Sequence, residues 1–139
     1  MKRLTPNMAV RDVRETVAYY VKHFGFTIDM AVSEDRSSVG ATLVADKEYV
    51  WANIMHGEVG FMFQRADILR EDIGDFFGEL GASSTYYIEV EDVDALYEKV
   101  KEEVEIVKPL ENAWYGMREF YVRDCNGYIL GFAMMLARE

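Results

Sequence analysis

Apolar and polar residues change their period at the same place in two separated stretches of this chain. Over residues 85–90 the run TYYIEV is short, aromatic and partly alternating, the pattern of a strand. From Val93 onward apolar residues fall at Val93, Leu96, Tyr97, Val100 and Val104, the spacing of one helix face. Asp92 stands between the two as an N-cap. Eighty residues earlier, Thr5, Val10, Asp12 and Val13 match Thr85, Val90, Asp92 and Val93. They lead into a second apolar face at Val13, Val17, Tyr20, Val21 and Phe24, with Glu15 placed as a capping-box partner of Asp12. Period and cap recurring together predict two copies of one strand-helix unit.

The remaining pattern completes both copies. In the first, residues 4–10 are a strand and 12–24 a helix that Gly25 ends; 26–32 form a strand and 33–38 (SEDRSS) a polar turn. A further strand is expected over 39–45, and 49–55 and 59–64 form a hairpin about His56-Gly57. Residues 65–82 mix charges with Ile68, Leu69, Ile73, Phe76 and Phe77 between Gly74, Gly78 and Gly81, predicting a short helix or two. The second copy continues its helix to about Glu103 and adds strands at 105–107, 114–123 and 128–136, the last two joined by an Asp124-Cys125-Asn126-Gly127 turn.

Each half is therefore βαβββ: a first module at 1–64, a linker at 65–83 and a second module at 84–139, within a single domain. Aligning Gly57 with Gly127 changes the repeat offset from 80 to 70, which puts extra residues of the first half between Ser33 and Glu48. Neither half covers its own sheet. Together they predict an α+β fold, a curved mixed sheet around a concave cavity with the helices outside.

Composition narrows the function. A chain of 139 residues, half of them hydrophobic, suffices for one domain with a real core. It has no run of 18 apolar residues, and the start MKRLTPNMAV lacks the apolar stretch of a signal peptide, so a soluble, cytoplasmic protein is expected. Its single cysteine, Cys125, excludes an internal disulfide and fits a reducing compartment. Fifteen basic against 25 acidic residues give a formal charge of -10, which argues against nucleic acid and anionic membranes as partners. Most of that charge serves solubility, but a cationic small ligand would be welcome in its field.

The segments LTPNMAVRDVRETVAYYVKHFGF, YYIEVEDVDALYEKV and WYGMREFYVRDCNGYILGF together resemble the glyoxalase, bleomycin-resistance and extradiol-dioxygenase superfamily, the vicinal oxygen chelate fold, over essentially the whole chain. The marks are the Val-x-Asp-Val junction, Tyr-Tyr followed by Phe24-Gly25-Phe26, and the Asp-x-x-Gly-Tyr turn. The resemblance implies that enzymes of this kind hold a divalent metal on the concave face with His, Gln, Glu or Tyr. At the matching positions this chain has Thr5, Thr85 and Gly131, with Phe61 as the first-half counterpart of Gly131. Such a set supplies neither imidazole nor carboxylate, so no metal, no cofactor and no catalytic residue is expected. His23 on a helix and His56 in a turn do not replace it, and Asn7, Gln64 and Glu89 would make a weak metal site.

Counting in twos from those positions gives the inward side chains. They are Thr5, Asn7 and Ala9; Thr85, Tyr87 and Glu89; Val59, Phe61 and Phe63; and Ile129, Gly131 and Ala133, with Trp51, Trp114, Tyr115 and Met117 as walls or mouth. The expected ligand-binding residues are Asn7, Trp51, Phe61, Phe63, Tyr87, Glu89, Trp114, Tyr115 and Gly131. With 14% aromatic residues, any one ring is more often core than ligand contact. Glu89 calls either for a cation or for a pair with Arg118 or Arg123, and Gly131 leaves room for a ligand or for a neighbour such as Tyr87. Cys125, where the family commonly has proline, reads as an incidental thiol.

The resemblance implies a metal-free small-molecule-binding protein like those of the bleomycin-resistance branch: an antibiotic-resistance homodimer that sequesters a cationic or aromatic ligand in an aromatic-lined cavity without chemistry. The alternative is a glyoxalase- or dioxygenase-type lyase or isomerase with an atypical or absent metal, the metal-independent isomerase using Glu89 as base and Tyr87 as acid. A third is an interaction module whose cavity is filled by its own side chains.

Overall fold

The computed structural model describes residues 1–137 and divides the chain into two compact units, Met1–Leu80 and Gly81–Glu139. The first unit runs β1 (Asn7–Val10), α1 (Val13–Phe24), β2 (Thr27–Ser33), β3 (Val39–Gly40), β4 (Tyr49–His56), β5 (Val59–Arg65) and α2 (Ala66–Ile73). The second runs β6 (Thr85–Glu89), α3 (Val93–Val100), β7 (Glu105–Asn112), β8 (Met117–Arg123) and β9 (Ile129–Met135). Strands order as β1-β5-β4-β2-β3 in a five-stranded sheet and as β6-β9-β8-β7 in a four-stranded one. In both, the opening strand lies parallel to the last strand of the hairpin and the other pairs are antiparallel. The fold is α+β, two βαβββ-like modules that form mixed sheets.

The same local chemistry starts the long helix of each unit. Asp12 accepts a hydrogen bond from the Glu15 backbone N–H at 3.0 Å, and Asp92 accepts one from that of Ala95 at 3.0 Å. Each satisfies one of the orphan donors of a helix N-terminus, an arrangement worth about 1 kcal/mol. Gly25 ends α1 at φ 70°, a left-handed conformation that favours glycine, and returns its N–H to the carbonyls of Tyr20 and Val21.

Helix periodicity then builds each core. Val13, Val17, Tyr20 and Phe24 of α1 are buried, and the Tyr20 ring lies 5.7, 5.8 and 5.0 Å from those of Phe26, Phe61 and Phe63. In the second unit Val93 and Val100 are buried, Tyr97 meets Phe120 edge-on at 5.0 Å, and Phe120 stacks on Phe132 at 5.4 Å. Each such side chain contributes roughly 1.5–3 kcal/mol by leaving water.

Several boundaries differ from the sequence pattern for identifiable reasons. β1 begins at Asn7 rather than at residue 4, because Pro6 has no N–H to donate and only its carbonyl joins β5, accepting from the Met62 N–H at 2.8 Å. The strand expected over 39–45 is reduced to Val39–Gly40. Side chains satisfy the loop beyond it: the Tyr49 hydroxyl accepts from the Val44 N–H at 2.7 Å, and Arg14 donates to the carbonyls of Val44 and Lys47 at 2.5 and 2.8 Å. α3 stops at Val100, short of Glu103, and β7 runs on to Asn112, past the expected end at residue 107. β8 starts at Met117, because a turn closed by the Ala113 N–H on the Met117 carbonyl, with Gly116 at φ 86°, holds Trp114 and Tyr115 outside the ladder.

Phe63→Ala removes a fully buried ring from the α1 core and is expected to cost roughly 3–5 kcal/mol in urea unfolding. Phe76→Ala, at a residue 83% exposed, is expected to stay within about 0.5 kcal/mol of wild type.

Candidate functional site

Successive side chains on a strand point to opposite faces, so each sheet has one face toward its long helix and one away from it. In the first unit Met8, Phe63, Ala52 and Ala31 form a buried cross-strand row on the α1 side. On the far side one row is Asn7, Met62, Asn53 and Met30, and the next is Ala9, Gln64, Trp51 and Val32. In the second unit Ile88, Phe132 and Phe120 lie on the α3 side, while Tyr87, Gly131 and Tyr121 form one row away from it and Glu89, Ala133 and Glu119 the next.

Phe61 and Phe63, expected to face a ligand, therefore belong to the helix-side core with Tyr20. The cause is turn length. His56 pairs with Val59 across a two-residue turn, whereas Asp124 bonds to Tyr128 around the three residues Cys125, Asn126 and Gly127. Aligning glycine on glycine slips the register by one residue, and a slip of one exchanges the faces. Asn7, the counterpart of Tyr87, pairs with Met62, so Met62 and not Phe61 is the equivalent of Gly131.

In the first unit the polar residues of the far face are bonded to other side chains. Asn7 Nδ2 donates to Gln64 Oε1 at 2.9 Å, and Gln64 Nε2 donates to Asp72 Oδ2 on α2 at 2.5 Å. Asn53 Nδ2 donates to Asp29 at 3.0 Å, while Trp51 is half-buried on the same face. Two clefts of this unit, of about 390 and 320 Å³, are lined by Arg11 and Arg70 and by Glu34 and Asp35 among others, and by none of the expected ligand residues.

The second unit gathers the aromatic residues around a carboxylate that the sequence reading missed. Glu119 is fully buried, and its two oxygens accept hydrogen bonds from the hydroxyls of Tyr87 and Tyr115. A buried carboxylate needs such donors, because desolvation otherwise costs several kcal/mol. The bond to Glu119, with burial after it, pushes the Tyr115 phenol up to about 12. Burial first and Glu119 second push Tyr87 well above the usual phenol range, and Tyr121 is raised by burial and then by the charge of Glu119. The signal for Glu119 lay in MREFYVR: Phe120 and Val122 take the core face, which leaves Met117, Glu119 and Tyr121 on the other.

Other expected residues find different surroundings. The space that a side chain at Gly131 would need is filled by the Tyr121 ring, whose Cε2 lies 2.6 Å from an ideal Cβ, and not by Tyr87 or by free volume. Glu89 is exposed; Arg118 closes on Asp94 at 2.9 Å and Arg123 on Glu105 at 3.8 Å, so neither arginine forms the pair expected with Glu89. Trp114 is 96% exposed and set edge-on to Tyr115 at 5.5 Å, while Tyr87 and Tyr115 are 45% and 49% exposed. His23 is buried beside Tyr19, and His56, expected in the turn, is instead the last residue of β4 and lies against Phe26.

The positions that carry the metal in the enzymes the chain resembles hold Thr5, Met62, Thr85 and Gly131 once the slip is corrected. Two hydroxyls, a thioether and a missing side chain do not fit a divalent metal. Among the described residues no three or more His, Cys, Asp or Glu are grouped to hold one, and no helix is long and apolar enough to cross a membrane.

Residues 3–132 match the model of the Glyoxalase/Bleomycin resistance protein/Dioxygenase superfamily, and the chain belongs to that family. Among solved structures it is similar to a protein of unknown function from Agrobacterium tumefaciens str. C58, at 25% identity and TM-score 0.73, covering 98% of this chain and 95% of that one. It is also similar to the bleomycin-binding protein of bleomycin-producing Streptomyces verticillus complexed with copper(II)-bleomycin, at 25% identity and TM-score 0.59, covering 100% and 99%. TioX from Micromonospora sp. ML1 shares the fold at 21% identity and TM-score 0.68, covering 98% and 100%. No curated protein matches the chain.

A phenol whose folded-state pKa is raised stabilises the fold below its unfolded value of about 10 and loses that contribution as pH rises through the folded value. The urea midpoint should therefore fall between pH about 10 and about 12, and fall less in Tyr115→Phe. Tyrosinate absorbance should show a late-titrating fraction that this variant reduces.

Proposed function

We propose that the protein binds a cationic or aromatic small molecule without transforming it, as a member of this superfamily related in role to bleomycin-resistance proteins. The observation that carries the reading is the set of half-exposed rings Tyr87 and Tyr115, held in place through their hydroxyls by buried Glu119, with exposed Glu89 on the same face. Rings fixed before the ligand arrives lose little freedom on binding, and two carboxylates favour a positive ligand. Trp114 extends the aromatic surface, and in the first unit Asn7 and Trp51 supply a polar and an aromatic side chain on the face away from α1.

Three further observations support this reading. The formal charge of -10 favours cations, the similarity to the bleomycin-binding protein covers both chains almost fully, and the metal positions do not fit a metal. An acid role for Tyr87 is disfavoured, since its hydroxyl donates its proton to a hydrogen bond with Glu119 and its pKa is raised. The reading includes a homodimer in the cytoplasm and resistance by sequestration, as in that branch.

Calorimetric titration with bleomycin, metal-free and as the copper(II) complex, tests this together with native mass spectrometry of the purified protein. Saturable binding at micromolar Kd or tighter, to a probe or to a co-purified small molecule, is expected, with a dimeric mass. Tyr87→Ala should weaken it by roughly threefold to thirtyfold, the range of one cation–π or stacking contact. No saturable binding of either probe and no retained small molecule would remove the reading.

A further inference from the structure

Glu119 breaks a general rule of protein interiors. Buried charges are normally paired with an opposite charge, because neutral donors recover only part of the lost hydration. Here both oxygens of a fully buried carboxylate accept from phenol hydroxyls, and no salt bridge reaches it among the described residues. Lys108, on the adjoining strand beside Tyr121, pairs instead with Glu111 at 2.8 Å. The other groups on this face include Glu89 across Ala133 from Glu119, the rings of Tyr87, Tyr115 and Tyr121, and Arg123, which reaches Glu105 at 3.8 Å. The molecule thus places a carboxylate beneath a layer of half-exposed rings, with Lys108 held by Glu111 and acting on Glu119 only through its charge.

A hydroxyl that donates to a carboxylate carries more negative charge on its oxygen and passes part of it into the ring, which strengthens the attraction of the ring face for a cation. We infer that Glu119, which is too deep to touch a ligand, is the positioning residue that makes this face select an alkylated ammonium group over a neutral group of the same shape. It does so by fixing the Tyr87 and Tyr115 rings and by charging them from below. The inference rests on the binding function proposed above and names its ligand class: a cation whose charge is spread over methyl or methylene groups. Such a group loses little hydration and needs no hydrogen-bond acceptor, which suits a carboxylate already occupied by two hydroxyls.

Choline and 3,3-dimethyl-1-butanol, which differ chiefly in replacing nitrogen and its charge by carbon, are the probes. In titrations followed by NMR, wild-type protein should bind choline at least about tenfold more tightly than the neutral isostere. Glu119→Gln should bring that ratio to within about twofold, mainly by weakening choline, while Tyr87→Ala should weaken both probes. The double variant Tyr87→Phe with Tyr115→Phe keeps the rings, removes the hydroxyls and should lose the preference in the same way, which covers the case of a Glu119→Gln protein that does not fold. Equal affinity of wild type for the two probes overturns the inference, and if bleomycin is still bound the proposed function survives that result. Proportional weakening of both probes in Glu119→Gln also overturns it, because a purely structural role would do that. Binding of neither probe, with bleomycin also unbound, takes the inference and the proposed function down together.

Discussion

A residue on a strand has two faces to choose from, and nearly every role in this protein follows from that choice. Because α1 and α3 each lie on one side of a sheet, the pleat sends alternate residues into an aromatic core and the others to the far side. Phe120 and Val122 are core while Glu119 and Tyr121, their immediate neighbours, are not part of it. The carboxylate is buried all the same, by tyrosines on its own face. Its burial is thus a product of side-chain packing and not of depth below the helix, which is why it keeps company with exposed rings.

The regular part of this architecture was legible in the chain because it rests on local signals. Asp12 and Asp92, each followed by a helical period, mark helix starts that the structure reproduces to the residue. Gly25 marks an end in the same way. Where boundaries moved, the deciding partner was distant in sequence: Arg14 reaching the carbonyls of Val44 and Lys47 replaces ladder bonds in a stretch that reads as strand by composition. No window of the sequence around residue 44 contains that information.

The candidate site was half legible for a related reason. In the second unit the count in twos placed Tyr87, Glu89 and Gly131 together on the face away from α3. In the first it failed at Phe61 and Phe63, since it was carried across a turn whose length had been read from its glycine alone. Glu119 was missed because an acidic residue between Arg118 and Phe120 looks like an ordinary exposed strand position until the two tyrosine hydroxyls are seen on it. Tyr121, not Tyr87, occupies the gap at Gly131, a preference set by ring geometry on a neighbouring strand.

The two hairpin turns also bear on how such a duplicated chain can diverge. Gly57-Glu58 spans two residues and Cys125-Asn126-Gly127 three, so the paired halves stay superposable in backbone while their sequences fall out of step. Each turn closes on a facing pair, His56 with Val59 in one and Asp124 with Tyr128 in the other, and facing residues share a face of the sheet, so the longer turn still leaves Leu130 and Phe132 in the core and Gly131 outside it. A change of length at this bend thus moves the correspondence between the two halves by a residue while each strand keeps the side chains it already presents. A turn can therefore disguise the kinship of two modules without altering the face that either one presents.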